Sequence, residues 1–115
     1  NMGNPNWNTL MCPDGSEGFY TPNFPAYPSG HATFAAAASV VLEEFVGPSY
    51  RMTDRSHEGR TEFQGKPRTF NSIRDMAIEN ANSRIPLGVH FRVDSNVGLK
   101  IGYAIGEKVL NLPWN

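Results

Sequence analysis

Three stretches of the chain repeat apolar residues at helical spacing, and proline, glycine or charge breaks the pattern between them. The first runs from about Gly30 to Phe45. Phe34, Ala38, Val41, Leu42 and Phe45 recur three and four apart, the spacing of one helix face. Ala35 to Ala38 keep another side slim, which predicts a closely packed neighbour, and Gly47-Pro48 supplies the stop. The second begins at Ser72-Ile73-Arg74-Asp75, a capping box with Asp in place of Glu, and continues through Met76, Ala77, Ala81 and Arg84. Ile85-Pro86 ends it, because the residue before a proline is pushed out of the α region. The third takes its cap from Asp94 or Ser95 and runs to about Leu110. Within it Gly98, Gly102 and Gly106 recur every fourth residue. Each costs ~1 kcal/mol relative to alanine inside a helix. Three on one face therefore predict a groove where another helix presses close, with Val97, Ile101, Ala104, Ile105 and Val109 supplying the remaining apolar surface.

The rest of the chain predicts irregular structure. Five of the nine prolines fall before Ser29, and no period survives from Asn1 to Tyr27. That segment is expected to be extended and packed by Trp7, Leu10, Phe19, Tyr20, Phe24 and Tyr27. Ser49 to Phe70 is polar and reads as a loop with at most a short turn. Its His57 is either a contact at the rim of a site or a solvated loop residue. The expected fold is all-α, about three main helices plus long irregular segments in one unit. With 115 residues the chain suffices for one small domain.

Charge and cysteine content narrow the picture. Net charge is −1, which suggests no nucleic-acid partner, but no Lys or Arg precedes Arg51. An anion bound by the first fifty residues would need cations from elsewhere. Cys12 is the only cysteine, so no intrachain disulfide forms. No apolar run approaches the ~20 residues of a membrane span.

Chemistry concentrates at two places. Pro28-Ser29-Gly30-His31 lies where the proline-rich segment meets the first helix. The first N–H groups of a helix lack internal partners and carry the positive end of its dipole. Ser29 adds a capping hydroxyl, Gly30 leaves the backbone open to a ligand, and His31 adds a group that titrates near neutrality. Together they form a candidate oxyanion site, although ordinary capping punctuation accounts for the same four residues. The second place is Ser83-Arg84-Ile85-Pro86-Leu87-Gly88-Val89-His90-Phe91-Arg92-Val93-Asp94. Arg84, at a helix end broken by proline, is suited to grip a tetrahedral anion through two parallel hydrogen bonds. Asp94, four residues after His90, is placed to bond one ring nitrogen and set the tautomer if the backbone turns helically there. Singly, Arg84 fits a helix-dipole partner, His90 a core histidine and Asp94 a helix cap.

As a pair the two stretches resemble the second and third signature motifs of the type 2 phosphatidic acid phosphatase superfamily. Phe24-Pro25-Ala26-Tyr27-Pro28-Ser29-Gly30-His31-Ala32-Thr33-Phe34 and Glu79-Asn80-Ala81-Asn82-Ser83-Arg84-Ile85-Pro86-Leu87-Gly88-Val89-His90 most resemble its vanadium-dependent haloperoxidases. The resemblance implies an all-helical bundle around one oxyanion, vanadate in the peroxidases. It makes His90 the axial ligand, Arg84 the holder of equatorial oxygens, Ser29 and Gly30 hydrogen-bond donors, and His31 the acid–base residue. Asp94 would orient His90, and Phe24 would stand at the halide side. The reaction implied is oxidation of halide by hydrogen peroxide to hypohalous acid. The alternative within the superfamily is a soluble acid phosphatase, with phosphate in the cage and a phosphomonoester substrate attacked by His90. One cage serves both, because vanadate and phosphate are tetrahedral anions that become trigonal bipyramidal on adding a fifth ligand.

The superfamily's first motif, a Lys with an Arg-Pro downstream of it, has no counterpart before Ser29, and Lys66-Pro67-Arg68 follows the first histidine with different spacing. Arg84 alone would leave a multiply charged anion under-neutralised. The expectation is a C-terminal part of a longer helical domain, partnered by missing N-terminal helices. The resemblance also suggests a periplasmic or secreted protein.

Overall fold

The computed structural model describes residues 4–11, 20–61 and 65–114. Three helices, α1 (Gly30–Val46), α2 (Ile73–Ser83) and α3 (Arg92–Leu110), carry the architecture. One short hairpin, β1 (Met52–Asp54) with β2 (Arg68–Phe70), joins α1 to α2. The helical reading holds.

Ser29 caps α1 by accepting the Ala32 N–H on Oγ at 3.4 Å. At the other end Gly47, with φ +87°, turns the chain away and donates its N–H to the Glu43 carbonyl. The buried face of α1 is not the one its large residues mark. Ala32, Ala36, Ser39 and Val40 are buried, whereas Phe34 and Phe45 are 78% and 80% exposed. The reason is α3. Its glycines let α1 approach until a Cβ at Gly102 would overlap the Thr33 carbonyl and stand 2.6 Å from the Ala36 Cβ. Only small side chains fit such a seam, so the slim side of α1 became the core side.

Helix α2 starts as expected: the Ser72 hydroxyl accepts the Asp75 N–H at 3.0 Å. It ends at Ser83, leaving Arg84 as the C-cap residue. Ile73, Ala77 and Ala81 are buried at i, i+4 and i+8. The buried Ser95 hydroxyl ties α3 to α2 by donating to the Ala81 carbonyl at 3.0 Å. On the other flank Arg74 pairs with Glu43 at 2.6 Å and lies 5.0 Å over the Tyr103 ring, so one guanidinium joins all three helices. The Glu43 hydrogen bond raises the Arg74 pKa, and burial raises that of Tyr103.

Helix α3 begins at Arg92, ahead of the expected Asp94 or Ser95 cap. Phe91 is the cap position, and Asp94 acts from inside the first turn, accepting the Phe91 N–H on Oδ2 at 2.7 Å.

The segment read as a loop, Ser49 to Phe70, holds the hairpin, with Met52 opposite Phe70 and the Thr53 and Thr69 hydroxyls 3.0 Å apart. Each strand has three residues, too few for an alternating pattern to show. Arg68 ties the hairpin to α2 through Glu79 at 2.7 Å.

The N-terminal segment is irregular, as expected, but its described large apolar residues are not buried: Trp7, whose ring edge lies against Gly88, Leu10, Tyr20, Phe24 and Tyr27 are all exposed. Backbone bonds hold it instead. Leu10 N–H donates to the Leu87 carbonyl at 2.9 Å, and the buried Thr9 hydroxyl donates to the Tyr20 carbonyl at 2.6 Å. Phe19 and Cys12 lie outside the described residues. Among the described residues no helix is long and apolar enough to cross a membrane.

Candidate functional site

The site forms where the start of α1, the start of α3 and the end of α2 meet. Helix α3 joins the two sequence stretches through its own backbone. The Ser29 N–H donates to the Asp94 carbonyl at 3.0 Å, across sixty-five residues of sequence. That bond sets the α1 N-terminus beside the residue that caps α3, and His90 stands immediately before that cap.

His90 is buried, and its Nδ1 lies 2.8 Å from the Ala26 carbonyl oxygen. A carbonyl only accepts, so Nδ1 carries the proton and the lone pair of the neutral ring sits on Nε2. The expected tautomer device is therefore present with a different partner. Asp94 Oδ2 is 3.7 Å from Nδ1, beyond hydrogen-bond length, and is engaged by the Phe91 N–H. Asp94 positions His90 by fixing where α3 begins rather than by bonding its ring.

Arg84 leaves α2 in the αR conformation, with its carbonyl accepting the Val89 N–H at 3.3 Å. The side chain is half-buried. Its Nε is buried and has no hydrogen-bond partner among the described residues. Desolvation lowers the guanidinium pKa, though arginine stays charged at any ordinary pH. A buried, charged N–H without an acceptor is costly and calls for an anion.

His31 lies on the first turn of α1, at the open side of the site. Its pKa is lowered, first by desolvation, then by the charges of Arg84 and His90. Those last two effects place His31, Arg84 and His90 in one electrostatic neighbourhood. Ser29 is fully buried and, having accepted the Ala32 N–H, keeps its hydroxyl proton to donate. A Cβ at Gly30 would meet nothing within 4 Å, so the backbone there is open to a ligand. Phe24, two residues before Ala26, is 55% exposed and is not enclosed with the others. His57 is exposed and lines a separate cleft with Asp54, Arg68, Glu79 and Ser83.

Ala26 was not legible as a site residue, because it acts through a carbonyl and no side-chain type marks it. Among the described residues no group of three or more His, Cys, Asp and Glu converges as a cation cage. A guanidinium, a hydroxyl and helix N–H groups are hydrogen-bond donors, and an imidazole lone pair is a ligand, so this set of residue types is one that a tetrahedral oxyanion could use.

The three helices define the class as a helical-bundle domain, and comparison with known proteins gives the family. The family model described as VCPO second helical-bundle domain matches residues 1–113. The chain is 34% identical over 100 residues to the vanadium-dependent bromoperoxidase of Ascophyllum nodosum, covering 79% of this chain and 18% of that protein. It is 29% identical over 128 residues to the vanadium chloroperoxidase of Curvularia inaequalis, covering 81% and 21%. A crystal structure described as the first bacterial vanadium-dependent iodoperoxidase superposes with a TM-score of 0.72 at 34% identity, covering 91% of this chain and 23% of that one. The chain belongs to the vanadium haloperoxidase superfamily, a family whose relatives here are enzymes. It spans about a fifth of the length of these relatives.

Proposed function

We propose that this chain is the anion-holding part of a vanadium-dependent haloperoxidase that oxidises halide with hydrogen peroxide to hypohalous acid. The observation that carries the reading is the buried, unpartnered Nε of Arg84 in the neighbourhood of a His90 ring whose Nδ1 is already committed. Vanadate, when bound, supplies a Lewis-acidic centre that activates peroxide toward halide without a change of oxidation state.

The residues present fit that group. His90 offers the Nε2 lone pair as the single protein ligand. Arg84 neutralises charge through its orphaned N–H, and Ser29 and the first amides of α1 donate hydrogen bonds. His31, with its lowered pKa, is neutral at pH 7 and suited to take a proton from incoming peroxide and return it later. Asp94 holds the α3 start that positions His90, and exposed Phe24 stands toward the halide approach. Arg84 is the one cation found in the site among the described residues, and no Lys or Arg precedes Arg51. The remaining positive charge is therefore assigned to another segment of a longer polypeptide, whose N-terminal helices would complete the domain.

The test is a halogenation assay on the longer polypeptide loaded with orthovanadate. Dye halogenation that requires both peroxide and halide is expected. Phosphomonoester hydrolysis that vanadate inhibits, with no halogenation, would replace this reading by the phosphatase one.

A further inference from the structure

We propose that Gly98 is a positioning residue for the oxyanion site, setting how near the Ser29–Gly30–His31 corner stands to His90. The inference rests on the reading above that this pocket holds an anion. A Cβ on Gly98 would lie 2.6 Å from the Ser29 carbonyl oxygen, 2.8 Å from the Ala32 Cβ and 3.2 Å from the Thr33 Oγ1. The first of these is backbone, and it cannot swing aside. The Ser29 carbonyl already accepts the Thr33 N–H at 3.0 Å and the Thr33 hydroxyl at 2.9 Å. The Ser29 N–H is held from α3 by the Asp94 carbonyl. Helix α3 therefore grips residue 29 at two points one turn apart, by the hydrogen bond that the Asp94 carbonyl accepts and by bare contact at Gly98. A methyl group at position 98 would lever the α1 N-terminus away from α3 and lengthen the Ser29–Asp94 bond. The three atoms nearest to such a methyl all belong to the start of α1, and none to His90, Ala26 or Arg84.

Gly106 offers a matched control. It lies on the same α3 face, and its Cβ would meet the Val40 Cβ at 2.7 Å and the Ala37 carbonyl at 2.8 Å, toward the far end of α1. The clash is comparable, and the site is two turns away.

The experiment compares Gly98→Ala, Gly106→Ala and the double variant Gly98→Ala/Ala32→Gly in the longer polypeptide that supplies the remaining positive charge. It reads the unfolding midpoint, hydrogen exchange at the Ser29 amide and the Kd for inorganic phosphate. Both single variants should lose stability. Only Gly98→Ala should speed Ser29 exchange and weaken phosphate binding, each by about tenfold or more, and the double variant should recover part of both. Equal effects of Gly98→Ala and Gly106→Ala on Ser29 exchange, or no effect of Gly98→Ala, would overturn the proposal. An unaltered chain that fails to bind phosphate counts against the anion reading alone, and Ser29 exchange then decides the role of Gly98. If Gly98→Ala does not fold, the double variant makes the same comparison. If neither folds, the contact is a requirement of the whole fold and the proposal is overturned.

Discussion

The Ala26 carbonyl accepts the Nδ1 proton of His90 at 2.8 Å, which links the proline-rich segment to the residue before the α3 cap and decides where the ring's lone pair lies. Nitrogen-15 spectra of the neutral imidazole should therefore show the Nδ1–H tautomer as the main form. A dominant Nε2–H tautomer would contradict both the hydrogen bond and the proposed role of His90 as an anion ligand.

Arg84→Met should separate stability from binding. The guanidinium is desolvated and its Nε lacks an acceptor, so removing it should leave the anion-free chain as stable as before, or more so. Tetrahedral anions should bind roughly 10- to 100-fold more weakly, the worth of a charge-assisted hydrogen bond of about 1.5–3 kcal/mol. Denaturant titrations with and without phosphate check this. A large loss of stability without phosphate would mean that Arg84 is structural.

The pH dependence of binding should follow His31. Burial and the charges of Arg84 and His90 hold its pKa below 6.5. A bound dianion offsets the Arg84 charge and sets negative charge near the His31 ring, so the bound pKa is higher than the free one. The bound state then carries more protons over the interval between the two values. Affinity should rise as pH falls through that interval and be flat above it. Sulfate is the probe, because it does not itself titrate there. His31→Gln should flatten the profile, and an unchanged profile in that variant would assign the effect elsewhere. In the free chain acid stability runs the opposite way. A histidine with a lowered folded pKa disfavours the fold progressively as pH drops below 6.5.

Asp94→Ala and Asp94→Asn should differ. Alanine strips the Phe91 N–H of its acceptor at the start of α3 and should cost about 1–2 kcal/mol. Asparagine keeps an oxygen for that N–H and should cost less. Urea midpoints measure both. Equal costs would show that Asp94 acts through its charge on His90 and not through the cap.

Large and small residues of the helices should behave opposite to their size. Gly102→Ala forces a methyl into the Thr33 carbonyl and the Ala36 Cβ, and should destabilise by about 1–3 kcal/mol despite alanine's better helix propensity. Phe34→Ser, at a residue 78% exposed, should change the stability of this chain by about 0.5 kcal/mol or less. A large loss at Phe34 would place the core of this chain on the other face of α1.

Much of this was readable from local chemistry. The caps at Ser29 and Ser72, the stops at Gly47 and before Pro86, and the glycine seam each depend on residues within a few positions of one another, and each appears where the chain predicts it. The pairing of the Ser29 and Arg84–His90 stretches was also legible, though through resemblance and not through periodicity. Three things were not. Which face of α1 is buried depends on how closely α3 approaches, and Phe34 and Phe45 carry no local mark of being left outside. The hairpin between Met52 and Phe70 is too short for its period to register. The partner of the His90 ring is a backbone carbonyl, which every residue has. Sequence determined the identity of the chemical groups and the ends of the helices, because side-chain type and backbone preference act over single turns. Tertiary structure alone decided which groups face one another, because a packed seam and a hydrogen bond across sixty-four residues are set by the whole fold.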